Sequence, residues 1–356
     1  MKLRCDKFLK IRVAKQSGFS LIELLVATVI GLVLLSGIYQ VFLSSDTGYR
    51  YNEQLARLQE NGRFVLDLIT RDIRLAGYLG CGDQVLDTNL LNNPTADLNS
   101  FSQGLTGYEA TSATAWDQTP DATITLPLGG SDILTVRGAL MSKPMATSQE
   151  KLATSTSASL DSIDIADNDI LLISDCSYRA VFQVTGNNGA TTPPLVVNHA
   201  ATGSSPGNAT DTIPHTFPNG SDVFKMQSVS YYVRLNPDDE PTLYRRLSNS
   251  AGAEQMIEGV ENLQILYGED TDGDRNVDVY QAANLVADWN DVVAVRIGLL
   301  LRSPGEIAKK PLDTATYLVN RTTIDPMGNG TVAAPMNDKR MRQVFVTTVG
   351  LRNRLP

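Results

Sequence analysis

Gly18-Phe19-Ser20-Leu21-Ile22-Glu23-Leu24-Leu25 opens an apolar run that continues to Leu43, interrupted after Leu25 only by Thr28, Ser36 and Gln40. From Phe19 to Leu43 the segment is long enough to cross a bilayer as a helix, which takes about 20 residues. Ahead of it Lys2, Arg4, Lys7, Lys10, Arg12 and Lys15 stand against one acid, Asp6. Cations before the span and none inside it orient the N-terminus toward the cytoplasm. Glu23 does not suit an ordinary anchor, because a carboxylate in lipid costs roughly 2.5–3.5 kcal/mol unless it is paired.

Two readings of Glu23 stand. Either it lies among headgroups and stays solvated, or it has a cationic partner, and the segment itself supplies none. Cleavage between Gly18 and Phe19 would create one, an α-amino group that is mostly protonated at neutral pH. On a helix, Glu23 reaches such a terminus on a neighbouring copy more easily than its own. This stretch resembles the type IV prepilin signal: a basic leader, a Gly–Phe cleavage site and a glutamate fifth in the mature chain. An ordinary secretory signal is cut after its apolar core; here the site precedes the core, so the helix is retained. The resemblance implies removal of residues 1–18 by a prepilin peptidase, with the chain as its substrate, and N-methylation of Phe19.

The 356 residues include 42% hydrophobic and 19% charged side chains, enough apolar content for a sizeable core. Net charge is -9, and loss of a leader carrying +5 leaves about -14. So acidic a body argues against nucleic acid as a partner. Cys5 would leave with the leader, and Cys81 and Cys176 in an extracytoplasmic body read as one disulfide; two buried thiols are the alternative. His199 and His215 have no ligand spacing to either cysteine, which disfavours zinc.

Past Leu43 the helical pattern resumes. Ser44-Ser45-Asp46-Thr47-Gly48 marks a soft spot, then Leu55, Leu58, Val65, Leu66, Ile69, Ile73 and Ala76 recur at helical intervals among charged residues. No proline occurs from Phe19 to Ala76, and Gly77 is a natural stop. Such a spine would approach roughly 85 Å. Four segments follow: leader 1–18, a membrane or assembly half 19–43, an amphipathic half 44–77, and an extracytoplasmic head 78–356. In the head, 132–137, 169–174, 178–184, 223–235, 242–247, 256–267, 291–302 and 342–351 read as strands. Val229-Ser230-Tyr231-Tyr232-Val233-Arg234-Leu235 alternates as for a strand with one wet face. The polar stretches 87–122, 142–168 and 186–221 read as surface loops. The expected fold is α+β, a long hydrophobic helix packed on a large, mostly antiparallel β-rich domain.

The resemblance extends into the head. Ala76-Gly77-Tyr78-Leu79-Gly80-Cys81, Ser174-Asp175-Cys176-Ser177 and the ending Val344-Phe345-Val346-Thr347-Thr348-Val349-Gly350-Leu351-Arg352-Asn353-Arg354-Leu355-Pro356 resemble a PilW-type minor pilin. That group is similar to the larger minor pseudopilins of type II secretion. The resemblance implies insertion in the inner membrane with the body in the periplasm, then assembly with other minor and major pilins at a priming or tip position. The rivals are a type II pseudopilin and a pilus-borne adhesin or calcium-dependent binding module.

One further cluster has chemistry. Asp270, Asp272, Asp274, Asn276 and Asp278 alternate around Gly273, a spacing that can converge oxygens on Ca²⁺. It is not an EF-hand, since Arg275 holds the usual turn position and no bidentate Glu follows. An acidic hairpin turn is the other reading. No G-x-S-x-G, H-E-x-x-H, Walker or dinucleotide motif occurs, so the expectation is a structural protein and not an enzyme. Lys339, Arg340, Arg342, Arg352 and Arg354 read as a solvated basic face, and Trp116 and Trp289 as anchors.

Overall fold

Ser20 caps a single helix, α1 (Leu21–Arg74), that takes in both apolar and amphipathic stretches without a break. The computed structural model describes residues 18–80, 86–94, 97–139, 145–202, 206–248, 250, 252–307, 310–326, 328 and 338–353. Leader residues 1–17, Cys81 and Arg354 lie outside them. The expected soft spot at 44–48 is helical. There the Thr47 hydroxyl donates to the Leu43 carbonyl at 2.7 Å, and Arg50 pairs with Asp46 one turn away at 3.0 Å, so local polar bonds substitute for packing.

The chain divides into two compact units, Met1–Asn52 and Glu53–Pro356. In the first, apolar side chains from Leu21 to Phe42 stand exposed on every face of the helix. The most apolar part of α1 has a mean hydropathy of 2.5, and among the described residues this helix is long and apolar enough to cross a membrane.

In the second unit α1 buries one stripe: Leu58, Gly62, Val65, Ile69, Asp72 and Ile73. The spacing is three or four residues, one face of a helix. The four apolar side chains join the main core, each contributing about 1.5–3 kcal/mol of burial. Gly62 lets the Phe345 ring lie against the helix backbone; a Cβ there would sit 2.5 Å from the ring. The helix ends at Arg74 and the chain turns through Gly77, whose φ is +70° and whose N–H donates to the Arg137 carbonyl at 2.8 Å.

Nine strands of five residues or more build the head: β1 (Ile133–Gly138), β2 (Ile170–Ser174), β3 (Arg179–Gln183), β4 (Asp222–Leu235), β5 (Pro241–Leu247), β6 (Ala253–Glu258), β7 (Val260–Glu269), β8 (Val292–Arg302) and β9 (Arg342–Gly350). With α1 they make an α+β fold whose strand pairs are mostly antiparallel. β4 is shared between two parts of a nine-stranded sheet: Asp222–Met226 pairs with β2, and Val229–Leu235 with β5. A four-stranded sheet has the order Val279–Gln281, β7, β8, β9. The stretch read as one strand, 256–267, is two. Gly259 separates them at φ +85°, where a Cβ would meet the Arg302 carbonyl at 2.8 Å.

Two further expectations fail. β4 has no wet face: Ser230 and Tyr232 are buried, Ser230 bonded to Thr135 at 2.9 Å and Tyr232 packed with Tyr108, Ile124 and Ile133. The stretches read as loops supply that cover. Leu105–Tyr108, Ser157–Leu160 and Leu195–Asn198 are short strands, and Leu90, Phe101, Leu160, Val197, Ile213 and Phe217 are core residues. Their apolar residues are too sparse for a period-2 signal, yet they close cores of their own.

Candidate functional site

The start of α1 is locally satisfied. Ser20 and Glu23 form a capping box: the Ser20 N–H and hydroxyl both donate to Glu23 Oε2, at 2.9 and 3.0 Å, and the Glu23 N–H donates to Ser20 Oγ at 3.2 Å. A carboxylate here also faces the positive end of the helix dipole. Sequence reasoning sought a cation for Glu23 and overlooked this partner, although Ser20 three residues ahead of a glutamate is the signature of such a box. Oε1 makes no hydrogen bond among the described residues. Gly18 and Phe19 precede the helix, both exposed, so the proposed cleavage site lies outside it.

The acidic stretch forms the turn between β7 and Val279–Gln281. One carboxylate oxygen from each of Asp270, Asp272 and Asp278 falls within 4.8 Å of the others. Asp274 and Asn276 are not in that group; the Asn276 N–H and side-chain amide both donate to Asp274, at 2.7 and 2.9 Å. Asp270 accepts from the N–H groups of Gly273 and Arg275 at 2.7 Å each, and Asp278 from Thr271. For Asp270, partial desolvation works upward but these N–H groups outweigh it and lower its pKa. Asp272 is raised: the Asp274 N–H works to lower it, and repulsion from Asp274, Asp278 and Asp270 prevails. The turn thus has structural bonds of its own, with three acids close enough to share a hard cation.

The head holds polar residues that sequence periodicity did not reveal. The Tyr231 hydroxyl on β4 donates to Asp72 of α1 at 2.6 Å, with both residues buried. Burial raises the Asp72 pKa, against the opposing effects of Tyr231, Arg245 and Arg71. At the ends of β7, β8 and β9, Arg342 forks onto Glu261 at 2.7 and 2.8 Å and also meets Asp313 and Asp338 at 3.1 and 2.9 Å. Arg302 pairs with Glu240, Glu261 and Asp338, and Arg340 with Glu240. Arg340 and Arg342 are therefore not a solvated basic face. Burial works against the Arg342 charge, but Glu261 and Asp338 outweigh it and raise its pKa. Trp116 donates to the Ser131 carbonyl at 2.9 Å and Trp289 packs edge-on to Tyr267, both as anchors.

Cys176 sits in the Ser174–Tyr178 turn at φ +67°, beside an Asp175–His215 pair 2.7 Å apart; its expected partner, Cys81, lies outside the described residues. His199 is in another part of the core, against Phe182, so the histidines do not come together as metal ligands.

A family model described as type IV pilus-assembly protein W matches residues 230–353, the region of β5 to β9 and the C-terminal end of β4. A second, the prokaryotic N-terminal methylation motif, matches residues 13–39, which include Gly18, Phe19 and Glu23. No curated protein and no solved structure matches the chain. A prepilin methylation motif at one end and a match to the pilus-assembly W model at the other together support a type IV pilus minor pilin.

Proposed function

We propose that this minor pilin is cut between Gly18 and Phe19, is N-methylated on Phe19, and enters a pilus from the inner membrane at a priming or tip position. The observation that carries the reading is the conjunction on one chain of the methylation motif and a helix whose apolar side chains are exposed from Leu21 to Phe42. Such a surface needs lipid before assembly and other pilin helices afterwards. The six leader cations support a cytoplasmic N-terminus and a periplasmic head. Glu23 would use its free Oε1 to take the Phe19 amino group of a neighbouring subunit while Oε2 keeps the Ser20 cap. That pairing sets register, a role buried ionic pairs can fill.

Intact-mass and N-terminal analysis of the chain from cells, with and without reductant, tests this. The expected material begins at methylated Phe19 and gains two hydrogens on reduction through a Cys81–Cys176 disulfide. Material beginning at Met1 would overturn the reading. Glu23→Ala is expected to leave cleavage intact and lower incorporation into sheared pili at least tenfold; normal incorporation would remove the pairing.

A second reading is favoured by residues 145–222, a stretch inserted between the two matched regions that supplies most of a core of its own. On this reading the insertion is a binding module borne on a pilin stem, with Asp270, Asp272 and Asp278 holding Ca²⁺. Binding of the purified head to a surface, with pili still formed but attachment lost when the whole chain is deleted, would favour it. Loss of secreted enzymes on deleting the whole chain would instead point to a type II pseudopilus.

A further inference from the structure

β9 is the last strand of the four-stranded sheet and, among the described residues, pairs on one side only, with β8. The Ser303 N–H donates to the Met341 carbonyl at 2.7 Å and the Leu351 N–H to the Val293 carbonyl at 2.9 Å. In an antiparallel ladder, backbone groups face the partner at every second residue. Gln343, Phe345, Thr347 and Val349 therefore bond β8, and the N–H and C=O groups of Val344, Val346, Thr348 and Gly350 point away from it. Among the described residues none of these outward groups has a hydrogen-bond partner.

Three other edges are blunted, as sheet edges usually are. Thr88–Asn89 has two residues and Val279–Gln281 three. β6 carries Glu254 and Glu258 and shifts register against β5. β9 keeps unbroken register with β8 over nine residues, and from Gln343 to Gly350 it has no charge, proline or bulge. Val346 is 51% exposed in the middle of the strand. A long, flat, neutral edge is a template for another strand.

We propose that the free edge of β9 receives an extended strand from a different subunit of the filament, extending the four-stranded sheet across the subunit boundary. The proposal rests on the reading of the chain as an assembling pilin. Outward N–H and C=O groups at alternate residues demand an extended backbone, and the neutral Val344, Val346 and Thr348 side chains favour an uncharged, β-branched segment. At the priming or tip position proposed for this chain its neighbours are other pilins, which sets a different subunit beside the edge.

The Val346 N–H points outward, so Val346→Pro removes a bond to the guest strand and none to β8. Val346→Lys blunts the same edge without altering the backbone and covers a failure of the proline variant to fold. Each processed full-length chain is purified in detergent for thermal melting, and its abundance is measured in sheared filaments. Amide hydrogen exchange of Val344, Val346 and Thr348 is compared between the wild-type chain in detergent and in filaments. Expected are at least a hundredfold slowing of those amides on assembly and at least a tenfold loss of a folded edge variant from filaments. Unchanged exchange, or normal incorporation of both variants, overturns the proposal while leaving the pilin reading intact. Cross-linking through residue 346 between two identical chains overturns the choice of a different subunit. Absence of the wild-type chain from filaments overturns the pilin reading and this proposal together.

Discussion

At the ends of β7, β8 and β9, inside the family-matched region, Arg302 and Arg342 are buried among Glu240, Glu261, Asp313 and Asp338, with Arg340 and Lys310 at the margin, so that four cations face four carboxylates. Between the matched regions, Lys151 is 2% exposed and its Nζ donates to the carbonyls of Leu152 and Ser155, at 3.2 and 3.0 Å. His199 is fully buried, and neither ring nitrogen has a hydrogen-bond partner among the described residues. One region buries charge with its counter-charge; the other buries basic groups that form no ion pair among the described residues. The first gains strict geometry, because any lost member strands the rest. The second is sensitive to protons, since its basic groups are easier to charge in the unfolded chain.

The largest effect is expected where compensation is complete. Arg342→Met leaves Glu261 buried and deprives Asp313 and Asp338 of a partner, and should cost about 3–5 kcal/mol in denaturant unfolding. Adding Glu261→Gln should recover part of that loss; a single variant as stable as wild type would show that the network contributes little.

The contrast sharpens with pH. Burial lowers the His199 pKa to about 4, with Lys151 adding to it, against an ordinary value near 6.5. The unfolded chain therefore binds this proton first. The penalty is absent above pH 6.5, grows as pH falls toward 4, and reaches about 3 kcal/mol. Wild type should lose that much more stability than His199→Leu between pH 7 and pH 4. Parallel losses would mean that His199 is not the sensor. Lys151, lowered to about 8 by burial, acts in a separate window, where stability rises with pH between about 8 and 10.5.

A smaller effect is expected at the junction of helix and sheet. Tyr231→Phe removes one charge-assisted bond from buried Asp72 and should cost about 1.5–3 kcal/mol. Asp72→Asn in the same background should add little; a full further loss would place Asp72's worth elsewhere, with Arg245 the nearest candidate.

The long strands were legible because each has a run of β-branched and aromatic residues, and β4 and β8 lie close to where that run placed them. The break at Gly259 was not, since one glycine in an apolar run signals a bulge as readily as a turn. The stretch 186–221 looked like loop because Val197, Ile213 and Phe217 stand alone among Asn, Thr and Pro, and only folding shows them meeting in one core. The Ser20–Glu23 cap was readable from spacing alone but was hidden by the search for a charge partner.

The order of residues alone determined the basic N-terminal stretch, the methylation motif that spans Gly18 and Phe19, and the long apolar helix, because short motifs and helix periodicity are local properties of the chain. Tertiary structure alone decided that Arg340 and Arg342 are interior ion-pair residues, that Tyr231 meets Asp72, and that β9 ends its sheet with one side unpaired. Each of those joins residues 81 or more positions apart or depends on which strand lies beside which, and pairing across such separations is settled by the whole core closing at once.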